Sequence, residues 1–101
     1  MDLDLIISNG TIIDGSGRPR FRGDVGLRGG RIALVSTGSR LIESADLGIR
    51  VIDAGGLIVA PGFIDLHSHA DWILPLPDHD RILAPFLLQG ITTVVTGQCG
   101  F

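Results

Sequence analysis

Residues 61–71 read Pro61-Gly-Phe-Ile-Asp-Leu-His-Ser-His-Ala-Asp71. Two of the three histidines in the 101-residue chain stand two positions apart here, at the end of an apolar run and between two aspartates. Pro61-Gly62 marks the start of a strand over 63–67. Side chains on a strand alternate between faces, so Asp65, His67 and His69 project one way and Ile64, Leu66 and Ser68 the other, hidden, way. Imidazoles spaced i, i+2 have their bases roughly 7 Å apart. Rings converging from that separation can share one ion at about 2.0–2.1 Å from each nitrogen. The pair would be half a site, because zinc takes four ligands, or three and an open position. The ordinary alternative is an exposed or hydrogen-bonded histidine pair.

Further along, Ile91-Thr-Thr-Val-Val-Thr96 is β-branched throughout and reads as a buried strand running into a loop, Gly97-Gln-Cys-Gly100. Between the strands lies a loop with Pro75 and Pro77, then a short helix over 82–89. That helix has Pro85 in its first turn, where a missing N–H costs little, and Gly90 as its stop. Strand, helix and strand make a βαβ unit, whose strands are parallel. Cys99 then falls just past the C-terminal end of the second strand. His67 and His69 finish at that same end, where parallel α/β sheets gather ligands. Neighbouring strands are about 4.8 Å apart, so a thiolate at Cys99 can reach an ion held by the histidines, and the metal would deprotonate it. A lone cysteine is otherwise a small buried hydrophobe. Asp65 and Asp71 fit three roles: ligand, carboxylate orienting an imidazole, or ordinary polar residue. Orienting an imidazole is the preferred reading for Asp65, and Asp71 stays open. His79, inside Asp78-His-Asp80, is a solvated loop residue without a role.

Residues 1–60 carry short apolar runs punctuated by turn dipeptides: Leu5-Ile-Ile before Asn9-Gly10, Ile12-Ile13 before Asp14-Gly15, and Val25-Gly-Leu27 before Gly29-Gly30. Such spacing reads as hairpins. Arg31–Val35 fits a returning strand, residues 36–48 a loop with at most a short turn. Arg50-Val-Ile52 and Leu57-Ile-Val-Ala60 flank Asp53-Ala-Gly-Gly56 as another pair. The expected organisation is a β-rich segment, 1–60, followed by βαβ, 61–101.

Composition sets the outer limits. Hydrophobic residues at 45% against 19% charged argue for a buried core rather than disorder. The net charge is −3 and the eight basic residues, all arginine, are scattered, so no nucleic-acid footprint exists. No apolar run reaches the roughly 18 residues of a membrane helix, and the start lacks the basic region of a signal peptide. These features read as a cytoplasmic protein with no membrane partner. A single cysteine excludes an internal disulfide.

Residues 61–69 match, at every position, the opening motif Pro-Gly-hydrophobic-Ile-Asp-x-His-x-His of the amidohydrolase superfamily. The lead-in, LIISNGTIIDGSG (5–17), DVGLRGGRIALV (24–35) and VIDAGGLIVAPGFIDLHSH (51–69), resembles that superfamily's N-terminal segment. Within it, GITTVVTGQCGF (90–101) is similar to the N-acyl-D-amino-acid deacylases (D-aminoacylases), with Ile91 for their usual valine and Gln98 for their usual asparagine. The resemblance covers essentially the whole chain. It implies that residues 1–60 form part of a small β-sandwich and that 61–101 form the first βαβ unit of a (β/α)8 TIM barrel, an incomplete one. It implies one or two Zn2+ ions, with His67, His69 and Cys99 as metal ligands. Cys99 would stand where dihydropyrimidinases and dihydroorotases use a carboxylated lysine. The implied reaction is zinc-dependent hydrolysis of the amide bond of a small N-acyl-D-amino acid. The family's later histidines and catalytic aspartate lie beyond position 101, so this chain would be an N-terminal part needing the remainder of its own polypeptide. A cyclic-amide hydrolase and a piece that is non-catalytic on its own are the alternatives, and Cys99 in its motif weighs against the first.

Overall fold

The computed structural model describes residues 2–38 and 40–99. The chain divides into two compact units on either side of the Pro61–Gly62 bond. The first is built around β1 (Leu5–Ile12), which has β2 (Phe21–Arg28) antiparallel on one edge and β3 (Arg31–Thr37) antiparallel beyond it. Gly29 and Gly30 join β2 to β3 with φ of 59° and 74°, a two-residue turn positive at both positions, and Arg28 pairs with Arg31 across it. Only residues without a Cβ penalty make that turn readily, which is why it was legible in the sequence.

The Asn9-Gly10 dipeptide, expected as a hairpin turn, lies inside β1. Ile7 pairs with Val25 and Gly10 with Gly23, so Ser8 and Asn9 together face Asp24 and form a β-bulge, with Asn9 at φ 63°. The extra residue reverses the strand's faces. Ile6 packs with Leu3 and Leu41 on one side, whereas Ile7 and, past the bulge, Ile12 line an apolar groove of about 200 Å3 on the other. The Asp24 side chain, 3% exposed, holds the bulge: its Oδ1 accepts the Asn9 N–H at 2.7 Å and the Ser8 hydroxyl at 3.4 Å. Its Oδ2 accepts the Leu41 N–H at 2.7 Å. One carboxylate therefore ties the strand to the 3-10 turn Leu41–Ser44, and so seats Leu41 in the core.

A second expectation fails on the far edge. β4 (Arg50–Asp53) and β5 (Ile58–Val59) do not pair with each other; both run parallel to β1. β4 fills the edge of β1 as far as Ser8, and a turn closed by the Leu57 N–H on the Ala54 carbonyl (2.9 Å) carries the chain past the bulge. β5 then resumes at Thr11 and Ile12. The 13–20 connection is organised by Asp14, whose carboxylate accepts the Ser16 hydroxyl and N–H and the Arg18 guanidinium.

In the second unit β6 (Phe63–Asp65) and β7 (Ile91–Val94) are parallel, with a 3-10 turn, Ala70–Trp72, and helix α1 (His79–Leu88) between them. The helix begins three residues before its expected start, which puts Pro85 in its interior rather than its first turn. The early start follows from Leu76 to Asp78: the His79 ring donates from Nδ1 to the Leu76 carbonyl at 2.8 Å, and the Ile82 N–H reaches the Asp78 carbonyl at 3.0 Å. Gly90, at φ 86°, stops the helix as expected, its N–H on the Leu87 carbonyl at 2.9 Å. Ile64 and Leu66, expected on a hidden face, are 60% and 73% exposed, because α1 packs chiefly on β7.

Asp24→Ala should lower stability by about 2 kcal/mol or more, since it removes the acceptor of two main-chain N–H groups; Asp24→Asn, keeping one oxygen, should cost less. A urea midpoint unchanged in Asp24→Ala would contradict this role. At Asp14 the Ser16 hydroxyl, the Ser16 N–H and Arg18, in that order, lower the carboxyl pKa to about 2. A carboxyl depressed on folding stabilises at pH above its unfolded value, near 3.9, and that contribution disappears as pH falls through about 2. A carbon-13 titration of Asp14 should find its midpoint in that low range, and Ser16→Ala should raise it.

Candidate metal centre

The histidines reach their positions by a route that simple strand alternation does not describe. The Val95 N–H donates to the Asp65 carbonyl at 2.8 Å, and a regular parallel ladder would return the Val95 carbonyl to the N–H of His67. It is instead Ser68 whose N–H takes that carbonyl, at 3.0 Å. One residue is thus extra on this side, a bulge in a parallel pair, where bulges are rare. The expected strand through His67 accordingly ends at Asp65.

A bulge frees main-chain groups that must find partners. The His67 N–H donates to Asp65 Oδ1 at 3.1 Å, and the Leu66 carbonyl accepts from Gln98 Nε2 at 2.6 Å. The Asp65 carboxylate therefore holds His67 through its main chain. Ser68, 6% exposed, turns inward and its hydroxyl accepts the Ala70 N–H at 3.1 Å, so the residue between the two histidines pins their segment while both rings stay exposed. At the start of β6, Gly62 lies so close to Thr92 that an added Cβ would overlap the Thr92 side chain.

This main-chain arrangement brings together His67, His69 and Cys99. His67 Nε2 is 3.2 Å from Cys99 Sγ, the two imidazoles meet edge to face with centroids 5.6 Å apart, and the three ligand atoms all lie within 4.8 Å of one another. Tetrahedral zinc with bonds of about 2.0–2.3 Å needs ligand atoms roughly 3.4–3.8 Å apart. The His67–Cys99 pair, at 3.2 Å, needs to open by only a few tenths of an ångström, and the remaining separations need to close by about 1.5 Å at most. Two imidazole nitrogens and a thiolate are a donor set suited to zinc. Asp71 lies on the 3-10 turn, half-buried and outside this cluster, and His79 is the first residue of α1, its ring on the Leu76 carbonyl. Gly100 and Phe101, which close the sequence motif, lie outside the described residues. Strand alternation did not point to Ser68 or Gln98 as supports. The Asp-x-His spacing carries a local signal for the Asp65 contact, since an aspartate readily accepts the N–H two residues on.

Imidazole and thiol donors thus collect at the carboxyl ends of a parallel strand pair, where α/β proteins commonly gather ligands. Residues 50–101 match the amidohydrolase family, and the chain belongs to it. It is 47% identical over 97 residues to D-aminoacylase of Alcaligenes xylosoxydans xylosoxydans, a match covering 96% of this chain and 18% of that enzyme. Among solved structures, it resembles N-acyl-D-glutamate deacylase from Bordetella bronchiseptica, complexed with zinc and a phosphonate mimic of the tetrahedral intermediate. The identity is 46% and the TM-score 0.76, over 99% of this chain and 19% of that one. A D-aminoacylase with a binuclear metal centre, subject to one-metal activation and second-metal attenuation, is 44% identical with a TM-score of 0.80, over 99% and 19%. The chain thus spans about a fifth of the length of the relatives it matches.

Gly62→Ala should destabilise the second unit by about 1–3 kcal/mol, the usual cost of forcing atoms into occupied space. Thr92→Ala, which removes the two nearest of the overlapping atoms, should recover part of that loss in the double variant. Thermal unfolding of the single and double variants measures both effects.

Proposed function

We propose that this chain is the N-terminal part of a zinc-dependent amidohydrolase that cleaves the amide bond of N-acyl-D-amino acids. The observation that carries the reading is the convergence of His67 Nε2, a His69 ring nitrogen and Cys99 Sγ within 4.8 Å. Sequence identity of 47% to a D-aminoacylase supports the substrate class. On this reading residues 1–60 belong to a small β-sandwich, and β6, α1 and β7 open a (β/α)8 barrel whose remaining strands come from the rest of the polypeptide. A complete barrel takes roughly 250 residues, so the 101-residue chain alone is not catalytic.

His67 and His69 would hold the metal as neutral donors and Cys99 as an anionic one. Two neutral imidazoles and one thiolate cancel half the charge of a divalent cation, so the donor set leaves the site electrophilic. Zinc held there would supply Lewis acidity toward an amide carbonyl and toward a water nucleophile. Asp65 and Ser68 fix the main chain that presents the imidazoles, which keeps the donors oriented without consuming their ring nitrogens. One or two ions fit the reading, with further ligands and a proton-carrying aspartate expected beyond position 101. We place the protein in the cytoplasm, where a single unpaired cysteine stays reduced. No helix among the described residues is long and apolar enough to cross a membrane.

Cys99→Ala in the full-length protein should lower both bound zinc, measured by elemental analysis after dialysis, and deacylation of an N-acetyl-D-amino acid, each by at least about tenfold. Unchanged zinc content together with unchanged hydrolysis would sink the assignment.

A further inference from the structure

Gln98 makes two contacts that the metal assignment does not use. Its Nε2 lies 2.6 Å from the Leu66 carbonyl oxygen and 3.0 Å from that of Val95. Carbonyls only accept, so both hydrogens of the carboxamide are committed, one to each strand end. Leu66 immediately precedes His67, and Gln98 itself immediately precedes Cys99. Gly97, at φ 83°, supplies the left-handed turn that folds Gln98 back over the strand ends.

We propose that Gln98 is a positioning residue that sets the distance between His67 and Cys99, by clamping the bulge carrying the histidine to the loop carrying the cysteine. The metal-binding consequence rests on the function proposed above; the positioning itself does not. The β6–β7 ladder cannot do this unaided, because its last main-chain bond, Ser68 N–H to the Val95 carbonyl, skips the Leu66–His67 peptide. Gln98 supplies the missing link at the Leu66 carbonyl. Because the residue is exposed, water can replace its hydrogen bonds when it is removed. Geometry rather than stability is therefore what the clamp provides. A carboxylate at the same position would put oxygen against two carbonyl oxygens and reverse the contact.

The test compares the full-length protein with its Gln98→Ala and Gln98→Glu variants. In the metal-free proteins, the nuclear Overhauser effect between the His67 ring and the Cys99 β-protons should fall by at least about half in both variants, as expected from the steep distance dependence of that effect, while the methyl signals of Leu83 and Ile91, between α1 and β7 in the same unit, stay in place. On adding Co2+, the variants should bind about 10- to 100-fold more weakly than the parent, the usual effect of losing an outer support, with a weaker thiolate-to-cobalt charge-transfer band. An undiminished His67–Cys99 signal in both folded variants would overturn the positioning role. A parent chain with the His67–Cys99 signal but no thiolate–cobalt band would count against the metal assignment, and the signal in the variants would still decide on Gln98.

Discussion

The site depends on how one strand leaves its ladder. In the step from Asp65 to Ser68 the main chain of β6 takes an extra residue, and two side chains far apart in sequence, Asp65 and Gln98, satisfy the N–H and the carbonyl that this step releases. Without those partners, water would meet the exposed N–H and carbonyl, and the main chain would lose its fixed path through the bulge. With them, His67 stands beside Cys99 rather than out of phase with it. The clustering of His67, His69 and Cys99 is in this sense the outcome of a main-chain satisfaction problem solved by their immediate neighbours.

The first unit meets the same problem in the same way. The Ser8–Asn9 bulge in β1 is held by a buried carboxylate, Asp24, reaching two main-chain N–H groups from different segments. In both units an acidic residue beside the irregular strand does the holding: Asp24 from across the pair, Asp65 from within its own strand. The difference lies in burial. Asp24 is sealed in and secures a core, while Asp65 is half-buried and Gln98 open to solvent, and these two secure an arrangement of donor atoms.

How much of this could be read from the residues follows the range of each interaction. The Gly29-Gly30 turn and the Gly90 helix stop are local, governed by φ at single residues, and were legible. The strand, helix and strand after Pro61 were legible because each has its own compositional signature. The parallel pairing of β4 and β5 with β1 was not, because it joins residues more than forty positions apart and no local pattern distinguishes it from a hairpin. The start of α1 was misplaced because it depends on a histidine ring contacting a carbonyl, a bond that composition does not announce. At the site, residue types and motif pointed to His67, His69 and Cys99 as candidates, but strand alternation gave the wrong path to their meeting. The bulge that brings them together is supported from position 98, beyond the reach of any pattern within the strand.

The Asn9 bulge carries a consequence for how this chain tolerates change. It turns the strand over by one step: the buried residues stay even-numbered throughout, Ile6 and Ser8 before it and Gly10 and Ile12 after it, but they face opposite layers on its two sides. Trimming one residue there would resemble a frameshift written in hydrophobicity rather than in codons. Every downstream side chain of β1 would keep its identity and exchange its surroundings, and Ile12 would be turned toward the layer that Ile6 now occupies. A position that looks like dispensable turn sequence, Asn9-Gly10, thus sets the reading phase of the strand.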